Sequence, residues 1–282
     1  MTVQKTNREL LKAININGNL AERVVNMAIN EVFPNPTVKQ VIFQIRYSNL
    51  FYIENKIGDL QMKLMEEFPE SSLLYHQKLR VTDKGIDTEQ PFDENSNETI
   101  KKIWSFESPK KKCKLNITSD SLDISSEFHK TYNNPTSENK FRDVIEFVLK
   151  NFFKVTNLPT VKRIGLRYVD ECPVPKKDTK LFKEYYKTTF PLSRFKLEDA
   201  TSMKFSAVVK RGQQTLRFSE VFVQTGRKYK LQLDFDGYGE NVQSKDCLKI
   251  TDRLHGLILK EYEKSLKEPV YKHMRTKKKK KK

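Results

Sequence analysis

The chain has 282 residues, 37% hydrophobic and 32% charged, with 18 Phe and 11 Tyr. That length holds one large domain or two of about 100–150 residues, and the aromatic content excludes a wholly disordered chain. The formal net charge is +17; residues 275–282 carry seven positive charges, and without them 46 basic residues stand against 36 acidic ones, or +10.

A basic surface attracts nucleic acid, anionic lipid or acidic protein, although abundant Lys, Asn and Ile also suit an AT-rich coding genome. Cys113, Cys172 and Cys247 are odd in number and far apart, which fits a reducing cytosol and no disulfide framework. The start MTVQKTNREL lacks the apolar core of a signal peptide, and no apolar run is long enough for a membrane span. The expected location is cytoplasmic.

In chain order, residues 8–33 read as an imperfect helix through Leu10, Leu11, Leu20, Val24, Val25, Met27, Ala28 and Val32, interrupted at Gly18 and stopped by Pro34-Asn35-Pro36. Residues 41–47 are β-branched and aromatic and predict a strand. Residues 50–68 predict a helix with Phe51, Ile53, Ile57, Leu60, Met62, Leu64 and Met65 on its apolar side. Residues 69–97 are polar, with turn chemistry at Asp83-Lys84-Gly85 and at 93–97, and define no element. Strands are expected at 100–106, 113–118 and 121–128, where Leu115/Ile117 and Leu122/Ile124 alternate with polar residues. After the turn Tyr132-Asn133-Asn134-Pro135, residues 137–153 predict a helix with Phe141, Val144, Ile145, Val148, Leu149 and Phe152 on one face and Ser137 as N-cap.

The order then restarts: a strand at 161–169, a helix at 178–189, and strands near 203–210, 215–223 and 228–236. A turn is expected at Asp236-Gly237-Tyr238-Gly239, then a long helix at 244–266 carrying Leu248, Leu254, Leu257, Ile258, Tyr262 and Leu266. The expected fold is α+β: two related β-α-β-β-β-α units, each an antiparallel sheet covered by helices. Phe43, Ile45 and Tyr47 overlay Ile164, Leu166 and Tyr168, which puts Arg46 and Arg167 together on the other strand face. Residues 112–117 resemble 228–233 in type, and Tyr132 and Tyr238 both fall before the last helix of their unit. The expected domains are a helical extension at 1–34, units at 35–158 and 159–274, and a disordered lysine tail at 275–282. Whether the units share one sheet or form two lobes stays open.

PTVKQVIFQIRY at 36–47, RIGLRYVD at 163–170, and LQLDFDGY with DRLHGLILKEYEKSL in 231–274 resemble a sporadically distributed family of uncharacterised bacterial and archaeal proteins. Val169-Asp170 departs from that family's usual Asn after the Arg-Tyr pair. The resemblance implies no activity; its patchy distribution suits mobile or defence-associated genes.

No motif requires catalysis. His76, His129, His255 and His273 occur without a nucleophile-and-base pattern, and the glycines form no phosphate-binding loop. Asp234 and Asp236 alternate with Leu233 and Phe235, so they share a strand face; Asp170 and Glu171 end another strand. Two carboxylates on one face can hold Mg²⁺ or stand as a solvated strand face. No cofactor is expected.

Basic residues gather at three expected turns: Lys110, Lys111, Lys112 and Lys114; Lys210 and Arg211; Arg227, Lys228 and Lys230. Together they would make a phosphate-contacting rim, with Trp104 and Tyr229 as candidate stacking residues; otherwise they are ordinary solvated turns. Arg46 and Arg167 interrupt apolar strands and need partners, either a carboxylate of the fold or an anion held between the units. The leading expectation is a non-enzymatic interaction protein with a protein partner, possible contact to nucleic acid and a defence or immunity role. The alternatives are a Mg²⁺-dependent enzyme acting on nucleic acid and a small-ligand-binding protein with a pocket between helix and sheet.

Overall fold

The computed structural model describes residues 31–77, 80–82, 85–87, 100–226 and 228–276. The expected helix at 8–33 lies outside them except at 31–33, which are not helical. Arg227, the turn residues 83–84 and 93–97, and the lysines at 277–282 also lie outside.

The chain is α+β. Its strands are β1 Val38–Arg46, β2 Glu70–Gln77, β3 Arg80–Thr82, β4 Gly85–Asp87, β5 Ile100–Ser108, β6 Cys113–Ile117, β7 Ser121–Ser126, β8 Thr160–Cys172, β9 Ser202–Arg211, β10 Gln214–Thr225 and β11 Lys228–Gln243. Apart from the small β3–β4 ribbon, they form one antiparallel sheet in the order β2-β5-β6-β7-β1-β8-β11-β10-β9. Residues 35–158 and 159–274 therefore share a continuous sheet, joined where β1 lies against β8, rather than two sheets or two lobes.

Alternation along the central strands sorts side chains to two faces. Val41, Phe43 and Ile45 of β1 and Ile164 and Leu166 of β8 are buried on one face. The helices that cover this face are α1 Ile53–Leu64, α2 Phe141–Thr156, α3 Thr179–Tyr185, α4 Cys247–Ser265 and α5 Glu268–Arg275. α2 buries all six apolar residues expected of it, plus Thr156. Its Phe152 reaches Tyr47, just past β1, at 5.4 Å. α4 lies across β8, β10 and β11. No described helix is long and apolar enough to cross a membrane.

Four local expectations change. β2 falls in the unassigned polar stretch because it is an edge strand: Leu73, Leu74 and Tyr75 are all exposed, so no buried alternation marks it. In and beside α1, Phe51, Met62 and Met65 of the expected apolar side are exposed, while Ile53, Leu60 and Leu64 are buried. Ser137 does not cap α2; that helix starts after Lys140, and Ser137 Oγ instead donates to the Asn139 carbonyl. By contrast Asp178 does cap α3, accepting from the Leu181 amide.

The fourth change is the largest. β11 runs 16 residues, straight through the expected turn at Asp236-Gly237-Tyr238-Gly239. Gly237 faces α4, and a Cβ there would stand 3.3 Å from Ile258 Cδ1 and 3.5 Å from Leu254 Cδ2. The glycine permits close approach of helix to strand. Tyr238 consequently sits within a strand and does not match Tyr132. The overlay of 112–117 on 228–233 also fails, because β7, not β6, flanks the centre opposite β11. We predict that Gly237→Val overpacks this contact and lowers unfolding stability by about 1–3 kcal/mol, read by urea denaturation.

Candidate functional site

Among the described residues no helix covers the other sheet face. At its centre Gln44 pairs with Gly165 in register, and Arg46 with Arg163. Beyond them β11 contributes Asp234, Asp236, Tyr238 and Glu240, and β10 contributes Arg217, which is opposite Asp236. Like charges directly opposed across strands are unfavourable, so the neighbours of Arg46 and Arg163 decide the arrangement.

Arg163 turns toward Asp236, donating from Nη2 at 3.2 Å to Oδ2, and reaches Gln44 Oε1 at 3.3 Å from Nη1. Its guanidinium lies 4.4 Å from the Tyr238 ring centroid. Gly165 leaves room for this fold-back, since a Cβ there would stand 3.1 Å from Arg163 Nη1. Arg167 grips Asp234 with two bonds, Nε to Oδ1 at 2.8 Å and Nη2 to Oδ2 at 2.6 Å, and this carboxylate raises the guanidinium pKa further. Bidentate pairs of this kind fix geometry as well as charge.

Both aspartates are thereby engaged. Among the described residues Arg46 donates only to its neighbour Gln44, at 3.1 Å, and Arg217 is exposed with no ion pair. Arg46, Arg163, Arg167 and Arg217 line one groove of about 410 Å³. Two of its four guanidiniums are neutralised and two are not.

The expected residues distribute as follows. Arg46 and Arg167 do share the open face, and Arg167 has the carboxylate partner that an arginine inside an apolar strand requires. Asp234 and Asp236 also share that face, but as arginine partners; no group of three or more metal-ligating side chains occurs among the described residues. Asp170 and Glu171 project to opposite faces, Asp170 buried beneath the helices and Glu171 paired with Lys230 at 3.1 Å.

The three basic turns do not make one rim. The β5–β6 turn with Lys110, Lys111 and Lys112 and the β10–β11 turn before Lys228 lie at the sheet end where β8 finishes. The β9–β10 turn after Lys210 and Arg211 lies at the opposite end. Several of these charges are also matched: Lys111 by Glu67 at 2.7 Å, Lys114 by Glu107 at 2.7 Å, and Arg211 by Glu261 at 3.8 Å. Trp104 packs against the core, and Tyr229 stacks on Phe222, so neither is a free stacking platform.

Arg163 and Arg217 escaped the sequence reading. Arg163 lies four residues before Arg167 on the same strand face, a spacing that period-two alternation reveals. Arg217 becomes relevant only through the β10–β11 register.

On the helix side a second concavity of about 120 Å³ lies between α4, the start of β1, the end of β8 and the loop after β7. Its wall includes Thr37, Lys130, Tyr132, Tyr168, Asp170, His255 and Tyr262. The Thr37 hydroxyl donates to Asp170 Oδ1 at 2.7 Å, and the Tyr262 hydroxyl lies 2.6 Å from Thr37 Oγ1. Burial pushes the Asp170 carboxyl up to about 7. His255 stacks on Tyr132 at 4.3 Å and meets the Tyr168 hydroxyl at 3.2 Å; burial lowers its pKa to about 4 and keeps the ring neutral. His129 is likewise buried and neutral, bonded through Nδ1 to Ser126 Oγ at 2.8 Å.

No protein-family profile matches the chain, and no curated protein matches it either. Function therefore rests on these two surfaces.

Proposed function

We propose that the chain is a non-enzymatic interaction protein and that the arginine groove on its open sheet face receives carboxylates of a protein partner. The observation that supports this most is the pair of unmatched guanidiniums, Arg46 and Arg217, bracketing two arginines already held by aspartates. A preset arginine is suited to bidentate carboxylate recognition. The surrounding carboxylates, Glu240 beside Arg163 and Asp123 beside Gln44, confine an anionic partner to the two arginines, which suits a short acidic segment better than a long phosphate backbone. Nucleic acid is accordingly the second partner class, and a defence or immunity role is the biological setting we favour.

We also read residues 35–158 and 159–274 as copies of one unit. Outward from β1 and β8 the strands run β7, β6, β5 on one side and β11, β10, β9 on the other. Gln44 pairs in register with Gly165, the residue to which the sequence overlay assigns it. A twofold axis through that pair would relate the halves and place the groove beside it.

The test uses fluorescence anisotropy of labelled hexaglutamate and labelled single- and double-stranded RNA and DNA. Full-length chains are compared: unaltered, Lys277 to Lys282 replaced by Ser, and Arg46→Gln/Arg217→Gln. Hexaglutamate binding that survives loss of the tail lysines and weakens at least about fivefold in the double arginine variant is expected. Absence of hexaglutamate binding, or binding indifferent to the two arginines, contradicts the proposal. Oligonucleotide binding lost with Arg46 and Arg217 would reassign the groove to phosphate.

A further inference from the structure

We propose that the cavity beneath α4 is a second binding site, for the ammonium or amidinium group of a small organic cation about the size of a single aromatic ring. Asp170 is only 4% exposed, and its carboxyl lines the cavity. Oδ1 is held by Thr37, whereas Oδ2 has no hydrogen-bond partner among the described residues. The contrast lies in the same sheet: Glu220, 2% exposed, accepts from Thr188 Oγ1, the Thr189 amide and Thr189 Oγ1. A buried carboxyl left half-bonded is costly, and a cationic donor relieves that cost.

The nearby Lys130 lowers the Asp170 pKa through its charge but makes no hydrogen bond to the carboxyl. Lys130 lines the cavity, yet its Nζ donates to the carbonyls of Glu127 at 2.6 Å and Val38 at 3.2 Å. Glu31, also on the wall, is engaged by Arg275 at 3.0 Å. The other titratable neighbours are Tyr132, Tyr168, Tyr262 and Cys172, whose ionisation burial pushes up, and neutral His255. Asp234 lies beyond the sheet and adds to the field that disfavours a bare carboxylate at Asp170. The cavity therefore offers one carboxyl among aromatic rings, the surroundings that favour an organic cation. Its 120 Å³ is less than the roughly 150 Å³ cavity that accepts benzene, and its open side lets part of a ring-bearing cation extend outward. This site lies on the opposite side of the sheet from the arginine groove and stands or falls separately.

The probes are benzylammonium, its neutral analogue benzyl alcohol and its anionic analogue benzoate, titrated by calorimetry into the full chain. Saturable binding of benzylammonium alone is expected. Its affinity should rise with pH from about 5.5 to about 8.5, as the carboxyl ionises, with proton release on binding in the lower half of that range. Asp170→Asn, of nearly the same shape, should weaken binding at least about tenfold. Leu259→Trp, which enlarges a wall residue, should do the same while leaving Asp170 in place. The proposal is overturned if benzylammonium does not bind, if benzoate or benzyl alcohol binds as well, or if Asp170→Asn and Leu259→Trp both retain full affinity.

Discussion

Phe43→Ala is expected to lower the stability of the whole chain by about 3–5 kcal/mol, the cost of truncating a buried phenylalanine and leaving a cavity. Phe43 is 0% exposed, among the largest fully buried side chains. It stands in β1 opposite Ile124 of β7 on one side and Leu166 of β8 on the other. The hole would thus open where the two halves of the sheet meet. Because the sheet is continuous, urea denaturation followed by tryptophan fluorescence and by circular dichroism should show one transition shifted for both probes. Trp104, the chain's one tryptophan, reports on β5. A shift in its fluorescence with an unchanged second transition for the β8–β11 half would contradict a cooperative sheet.

Glu220→Ala is expected to cost about 3 kcal/mol, the range for removing a charged acceptor from several buried donors. Glu220 lies on the helix face of β10 and fastens the loop after α3 through Thr188 and Thr189. Its loss strands two hydroxyls and one amide without pinning the loop elsewhere. Glu220→Gln keeps an acceptor and should lose roughly half as much. Hydrogen exchange should locate the loosening at 186–192; protection unchanged there, with the stability loss spread over the sheet, would mean the carboxylate acts otherwise.

Much of the sheet was legible because burial was regular. Leu115/Ile117 and Leu122/Ile124 alternate in sequence and are all buried in β6 and β7, and the apolar face of α2 was readable residue by residue. Signals broke down where the physical cause lay in another element. Gly237 looks like a turn residue until α4 is seen pressing on β11. β2 has no buried side to announce it. Arg46 and Arg167 stood out because an arginine inside an apolar strand needs a partner, but the identity of each partner depended on register. Asp234 and Asp236 looked like a metal pair for the same reason: strand parity places them together and says nothing of the arginines arriving from β8. Asp170 gave only a weak sign, a carboxyl at the end of a strand. Its hydrogen-bond partner Thr37 lies 133 residues before it, and Tyr262, which meets Thr37, comes far later in the chain.

The proposed contact points of the groove are Arg46 and Arg217, which have no carboxylate partner among the described residues. The most direct measurement is a titration of hexaglutamate into full-length chain labelled with ¹⁵N-arginine, following the side-chain Nε–Hε resonances. Arg46 and Arg217 are expected to move progressively and to saturation, while Arg167, already clasped by Asp234, moves least. Movement confined to arginines outside the groove, or no movement at all, would contradict it.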